Sequence, residues 1–147
     1  MGALDRFFRL PPVERRRAVA AVFYLLAVRV AFGLLPFSRA LKLFCIAQGE
    51  AGSGRIAVSE AGEVSRAVAR AARHVPFQAA CLQQAFAALL MLRREGLTAT
   101  VRLGLAHTDD GANLKAHAWS HCGEVPVTGV AEAHGFVPIA AFVARSL

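Results

Sequence analysis

The sequence predicts an α+β domain, with helices through about residue 95 and then an antiparallel sheet of about three to four strands. Three observations carry this. Apolar residues up to Leu92 recur at helical spacing. From Thr98 they alternate with period two. The breakers change as well, from isolated prolines and glycines to the turn clusters "TDDGAN" and "CGEV". Helices that precede strands in this way segregate into an α+β layout. At 147 residues the chain reads as one domain, 1–147, large enough to bury a core, with 1–48 as a basic, hydrophobic helical subregion.

"LPPVERRRAVAAVFYLLAVRVAFGLL" opens the helical part. Pro11 and Pro12 suit a helix start, and no proline follows until Pro36. Arg15, Arg16 and Arg17 before the apolar run Ala18 to Val28 have the outline of a signal peptide or membrane anchor. Arg29 interrupts the run, a spanning helix needs about 20 apolar residues, and an arginine near its centre is expensive. A buried or interfacial helix is expected, with residues 18–37 set against lipid or against a partner protein. "SRALKLFCIAQG" reads as a short helix ending near Gly49, and "GEAGSGRIA" as a flexible connector.

Ser59 offers an N-cap for a helix from about Glu60 to His74, whose Ala61, Val64, Ala67, Val68 and Ala71 share a face. Arg66, Arg70 and Arg73 take the other side, as a solvated surface or a dock for an acidic peptide. After Pro76, "FQAACLQQAFAALLMLRREG" predicts a helix from Ala79 or Ala80, with Arg93 and Arg94 at its carboxyl end and Gly96 as its stop. "TATVRLGLAH", "KAHAWSHC" and "VPVTGV" read as strands, the last an edge because of Pro126. "FVPIAAFVARSL" closes the chain as strand or short helix.

The net charge is +7, and residues 1–46 carry eight basic side chains against Asp5 and Glu14. That surplus favours an acidic partner. Nucleic acid is set aside because there is no zinc-finger spacing, no basic aromatic strand pair and no evident recognition helix. Three widely spaced cysteines, Cys45, Cys81 and Cys122, do not make a disulfide framework, so a reduced, cytoplasmic setting is expected.

Cys81 falls in the first turn of its helix, where unpaired N–H groups and the helix dipole stabilise negative charge, as a thiolate nucleophile requires. The same residue also suits a small buried hydrophobe. His117 lies on a strand expected beside that helix and could supply the base such a thiol needs. Trp119 shares its face, either as core or as a wall that fixes the imidazole. Metal is disfavoured. On a strand His117 and His121 stand about 13 Å apart, too far to share a zinc whose ligands lie about 2 Å from it, and Cys122 points the other way. His121 and Cys122 read as rim and packing residues.

"VPFQAACLQQAFAALLMLRREGLTATVRLGLAH" followed by "AHAWSHCGEVPVTG" resembles the lasso peptide maturation proteases, leader peptidases of the transglutaminase-like cysteine protease superfamily. The ordered features are proline-x-x-x-x-cysteine-leucine, an alanine/leucine helix closed by arginines, an alternating strand, and histidine-alanine-tryptophan before a glycine turn. The basic, leucine-rich amino-terminal helices are similar to that family too.

The resemblance implies a transglutaminase-like, papain-like core with Cys81 as nucleophile and His117 as base and then acid. The family's third member is usually an aspartate on the next strand. Here the matching position falls at Thr128 or Gly129, and there is no aspartate. Hairpin geometry puts Thr128 on the face of His117. Glu124 and Glu132 are the nearest acids, and a backbone carbonyl is a further acceptor. The backbone N–H of Cys81 and the side chains of Gln78 and Gln84 are candidate oxyanion donors, though Gln84 reads first as an exposed helix glutamine.

The implied activity is removal of the leader from a ribosomally made lasso precursor peptide, with no cofactor. The chain resembles the split type. That type works with a leader-recognition protein and with an ATP-dependent, asparagine synthetase-like lasso cyclase. A membrane-surface contact is the further partner the hydrophobic amino terminus suggests. The alternative is a catalytically silent scaffold that binds peptide or membrane.

Overall fold

The computed structural model describes residues 2–144. Helices α1 (Ala3–Phe8), α2 (Pro12–Leu34) and α3 (Phe37–Leu43) lead into a short strand β1 (Ile46–Gln48). Helices α4 (Val58–His74) and α5 (Cys81–Arg94) follow. The chain then forms β2 (Thr100–His107), β3 (Leu114–Cys122), β4 (Val125–Thr128), a 3-10 turn (Ala131–Ala133) and β5 (Val137–Ala144). The strands make one antiparallel sheet in the order β1-β5-β2-β3-β4.

The α+β expectation holds, with five strands in place of three or four. The extra strand comes from a segment expected to finish a helix. Cys45 takes a left-handed φ of 56°, which ends α3 and turns Ile46–Gln48 alongside Phe142–Ala144 of β5. A three-residue strand has too few residues to display a period. "FVPIAAFVARSL" is resolved as strand β5; its last three residues lie outside the described ones. Ser59 does not cap α4: the helix begins at Val58, and its cap position is Ala57, which makes no side-chain bond. Helix α1 was not anticipated.

The core lies between the helices and one face of the sheet. Ala21, Leu25 and Val28 of α2, Val64 and Val68 of α4, and residues 85–92 of α5 are buried there with Val101, Ala118, Cys122 and Phe142 of the strands. Phe86 is its centre, with ring centroids 5.3 Å from Phe32, 6.1 Å from Phe37 and 5.7 Å from Phe142. Edge-on contacts of this kind add to the area that large aromatic rings bury. Helix α5 is apolar all round from Ala85 to Leu92 because helices cover one side and strands the other.

Its stop is the one expected. Gly96 has φ +75° and donates to the Arg93 carbonyl at 2.9 Å, while Leu97 donates to the Leu92 carbonyl at 2.9 Å. This Schellman ending satisfies two terminal carbonyls and starts the chain back toward β2. Arg17 of α2 pairs with Glu63 of α4 and, at 2.7 Å, with Glu95 after α5. Three helices are thus locked in register by one guanidinium.

Candidate active site

Side chains alternate along β3, so its two faces carry different chemistry. Ala118, Ser120 and Cys122 turn to the buried side, where Ala118 and Cys122 join the helical core. His117, Trp119 and His121 turn to the other face. Their partners across β2 are Gly104, Arg102 and Thr100. The β4–β5 connection brings Phe136 over that face, where its ring centroid lies 5.3 Å from the His117 ring.

The β3–β4 hairpin turns on Gly123 and Glu124, because Cys122 pairs with Val125. Gly123 has φ +59°, as the first central residue of a type II′ turn requires. The register then shifts: His121 pairs with Pro126, but Ser120 pairs with Thr128. Val127 is the extra residue of a β-bulge. Its carbonyl accepts from Ser65 Oγ of α4 at 2.6 Å.

This bulge corrects the placement expected for Thr128. Without it Thr128 would stand opposite Trp119, on the face of His117. A one-residue slip moves it to the other face, where its hydroxyl shares a 2.7 Å hydrogen bond with buried Ser120.

The partner of His117 is the next residue. Nε2 lies 2.7 Å from the Gly129 carbonyl oxygen. A carbonyl only accepts, so Nε2 carries the proton, and in the neutral ring Nδ1 holds the lone pair. Nδ1 has no protein partner among the described residues. Gly129 has φ +67°, and a Cβ there would come within 2.7 Å of the Ala118 carbonyl and 3.0 Å of Nε2. Only glycine combines that backbone angle with so close an approach. The backbone thus supplies an acceptor at one of the two positions that the resemblance matches to an aspartate. Trp119 stacks on the imidazole at 5.8 Å and 21° and is 5% exposed. A Cβ on Gly104 would meet the Trp119 ring at 2.7 Å, so the strand opposite is shaped to admit the indole.

Cys81 is the first residue of α5, as expected, and is half-buried against the helical core. Two glutamines fix the approach to it. Gln84 Nε2 donates to the Ala79 carbonyl at 2.8 Å, and the Ala80 N–H donates to Gln83 Oε1 at 3.3 Å. Gln84 is therefore committed to the chain before Cys81. Gln78 is exposed. Among the described residues no hydrogen bond joins Cys81 Sγ to His117.

Glu124 lies in the hairpin turn and Glu132 in the 3-10 turn. Both are exposed, and neither pairs with His117. His121 has a different environment from His117. Burial, then the nearby Arg102 charge, push its imidazole below the usual histidine range, against a smaller opposing pull from Glu124. Its Nδ1 is buried without a partner. Sequence reasoning missed Gly104 and Phe136 as parts of the His117 setting. A glycine inside an alternating strand is itself a sign of close approach. Phe136 gave no local sign, because its contact comes through the crossover.

A family model described as the transglutaminase-like superfamily matches residues 15–141. No curated protein and no solved structure matches the chain. The match takes in Cys81, His117, Trp119 and Gly129 together with the helices and sheet that place them, and this chain belongs to the transglutaminase-like superfamily, which includes cysteine peptidases.

Proposed function

We propose that this protein is a cysteine peptidase that removes the leader from a ribosomally synthesised lasso precursor peptide. Cys81 is the nucleophile and His117 the base. The observation that carries the reading is the 2.7 Å bond from His117 Nε2 to the Gly129 carbonyl. It fixes the tautomer with a basic Nδ1 and does for the ring what a third catalytic residue ordinarily does. The leader-peptide specificity rests on the sequence resemblance.

In the reaction, the Cys81 proton passes to the imidazole and the thiolate adds to the scissile carbonyl. Unpaired N–H groups at the start of α5 suit the oxyanion. The imidazolium returns its proton to the departing amine, leaving a thioester that water hydrolyses. A carbonyl orients the ring without adding negative charge. A cysteine–histidine pair tolerates that better than a serine–histidine pair, because a thiol gives up its proton far more readily than a hydroxyl. The attack requires Sγ and the imidazole to come within hydrogen-bond reach, so the free protein must sample a closer arrangement than the one this structure holds. Catalytic hydrogen bonds often tighten only once substrate is bound. A leader-recognition protein and an ATP-dependent, asparagine synthetase-like cyclase are the partners this reading implies, in the cytoplasm.

Two observations favour a second reading, a silent peptide-binding scaffold: among the described residues Cys81 and His117 are not hydrogen-bonded, and no carboxylate attends the histidine. Mass spectrometry of the precursor peptide, incubated with this protein and its recognition partner, separates the two. Release of the leader by wild type, with loss of about a thousandfold or more in folded Cys81→Ala and His117→Ala, supports the peptidase. No release by wild type gives the scaffold, and undiminished cleavage by Cys81→Ala removes Cys81 as the nucleophile.

A further inference from the structure

Helix α2 has two apolar faces. Ala21, Leu25 and Val28 are fully buried against α4 and α5. On the opposite side Val19, Phe23, Leu26, Val30 and Leu34 are 47–79% exposed. They follow one another at helical spacing along a helix about 34 Å long. Within 19–35 the only hydrogen-bonding side chains are Tyr24 and Arg29. Tyr24 lies off this stripe, and the Arg29 guanidinium lies 4.6 Å over the Phe77 ring.

Beside the stripe, α1 and α4 close an apolar groove of 850 Å³. Arg6, Arg9, Arg70 and Arg73 line it, and no Asp or Glu does. Leu4 and Phe8 of α1 are exposed next to these arginines.

We propose that α1 and the outer face of α2 seat this protein on an anionic membrane surface, with α2 lying in the interface. Three features select lipid over a protein partner. The stripe offers no hydrogen-bonding group, whereas protein interfaces carry about one hydrogen bond per 100–200 Å². Its apolar side chains run from Val19 to Leu34, as in helices that bury one face at the headgroup boundary. The charge lining the groove is guanidinium, from Arg6, Arg9, Arg70 and Arg73, which complements phosphate headgroups, while Asp5 of α1 and Glu14 of α2 lie outside that lining. By composition and length α2 is apolar enough to cross a membrane, but crossing would extract Leu25 and Val28 from the core and break the Arg17 pairs with Glu63 and Glu95. The contact is independent of the peptidase reading, and Cys81→Ala is expected to bind as wild type does.

The test is co-sedimentation with vesicles of phosphatidylglycerol and phosphatidylcholine, against phosphatidylcholine alone. Wild type is expected to pellet with the anionic vesicles and to be released by high salt. Each of Arg6→Gln and Arg9→Gln should weaken binding about fivefold. Phe23→Asp with Leu26→Asp should abolish it with the fold intact by circular dichroism, since both residues are exposed. Wild type that stays in solution with both vesicles overturns the proposal, as does equal binding to the two compositions or undiminished binding by the folded double variant. Loss of self-association in that variant, with no vesicle binding by wild type, would assign the stripe to a second copy instead.

Discussion

His117 and Cys81 are held very differently. The imidazole is fixed from three directions: Gly129 bonds its Nε2, Trp119 stacks on one side and Phe136 packs nearby. Two glycines, 104 and 129, leave room for nothing else. Cys81 stands at the end of a helix, half-buried, and the chain from Pro76 to Ala80 has no regular structure. Among the described residues two side-chain hydrogen bonds, from Gln84 and to Gln83, tie that chain down, together with the packing of Phe77 and Ala79 on the core. The proposed base is set in advance by the sheet, and the approach to the proposed nucleophile is the adjustable half. On the peptidase reading, the movement that brings the pair together is expected in the segment before α5.

Gly129→Ala should break the fixed half most severely. A left-handed alanine costs about 1–2 kcal/mol, and crowding against the Ala118 carbonyl adds about 1–3 kcal/mol. A urea melt should show about 3 kcal/mol of destabilisation, with loss of leader release in whatever folds. A change under about 1 kcal/mol would mean the carbonyl is not wedged against the ring.

Thr128→Val should cost about 1–3 kcal/mol, because it strands the buried Ser120 hydroxyl. Adding Ser120→Ala should recover most of that, since both partners are then apolar. Non-recovery would say that Thr128 does more than satisfy Ser120.

On the adjustable half, Gln84→Ala should cost about 1 kcal/mol in global stability. Its clearer effect should be faster hydrogen exchange at residues 79–82 with β3 unchanged. Equal exchange in both regions would deny the contrast between the halves.

His121 gives the smallest expected effect. Its pKa in the fold lies below the ordinary value of 6.5, so between the two the unfolded chain binds more protons. Stability therefore rises with pH through that window and falls away as the pH drops below about 6.5. His121→Asn should melt with a shallower loss of stability than wild type over that range. Parallel curves would remove His121 as the source.

Much of this was legible in the sequence because it depends on local rules. Period and breakers placed α2, α4, α5, β2 and β3, and Gly96 announced the end of α5. Cys81 at a helix start and Trp119 beside His117 followed from spacing alone. Thr128 did not, because the bulge at Val127 is set by pairing with Ser120 and by Ser65 from another element. No two-residue pattern encodes it. β1 was hidden because a three-residue strand exists only through its pairing with β5. Gly129 is one of the two positions matched to the aspartate, but its bond to His117 comes from its carbonyl, which sequence patterns of side chains do not report.

The most direct test of the Cys81–His117 pair needs neither precursor nor partner. Iodoacetamide labelling of Cys81 at neutral pH, read by mass spectrometry in a Cys45→Ser background, compares wild type with His117→Ala. Cys122 is fully buried and should stay unlabelled. If His117 activates the thiol, wild type should react at least about tenfold faster. Equal rates in two folded proteins would mean that the imidazole does not reach Cys81, and the peptidase reading would fall.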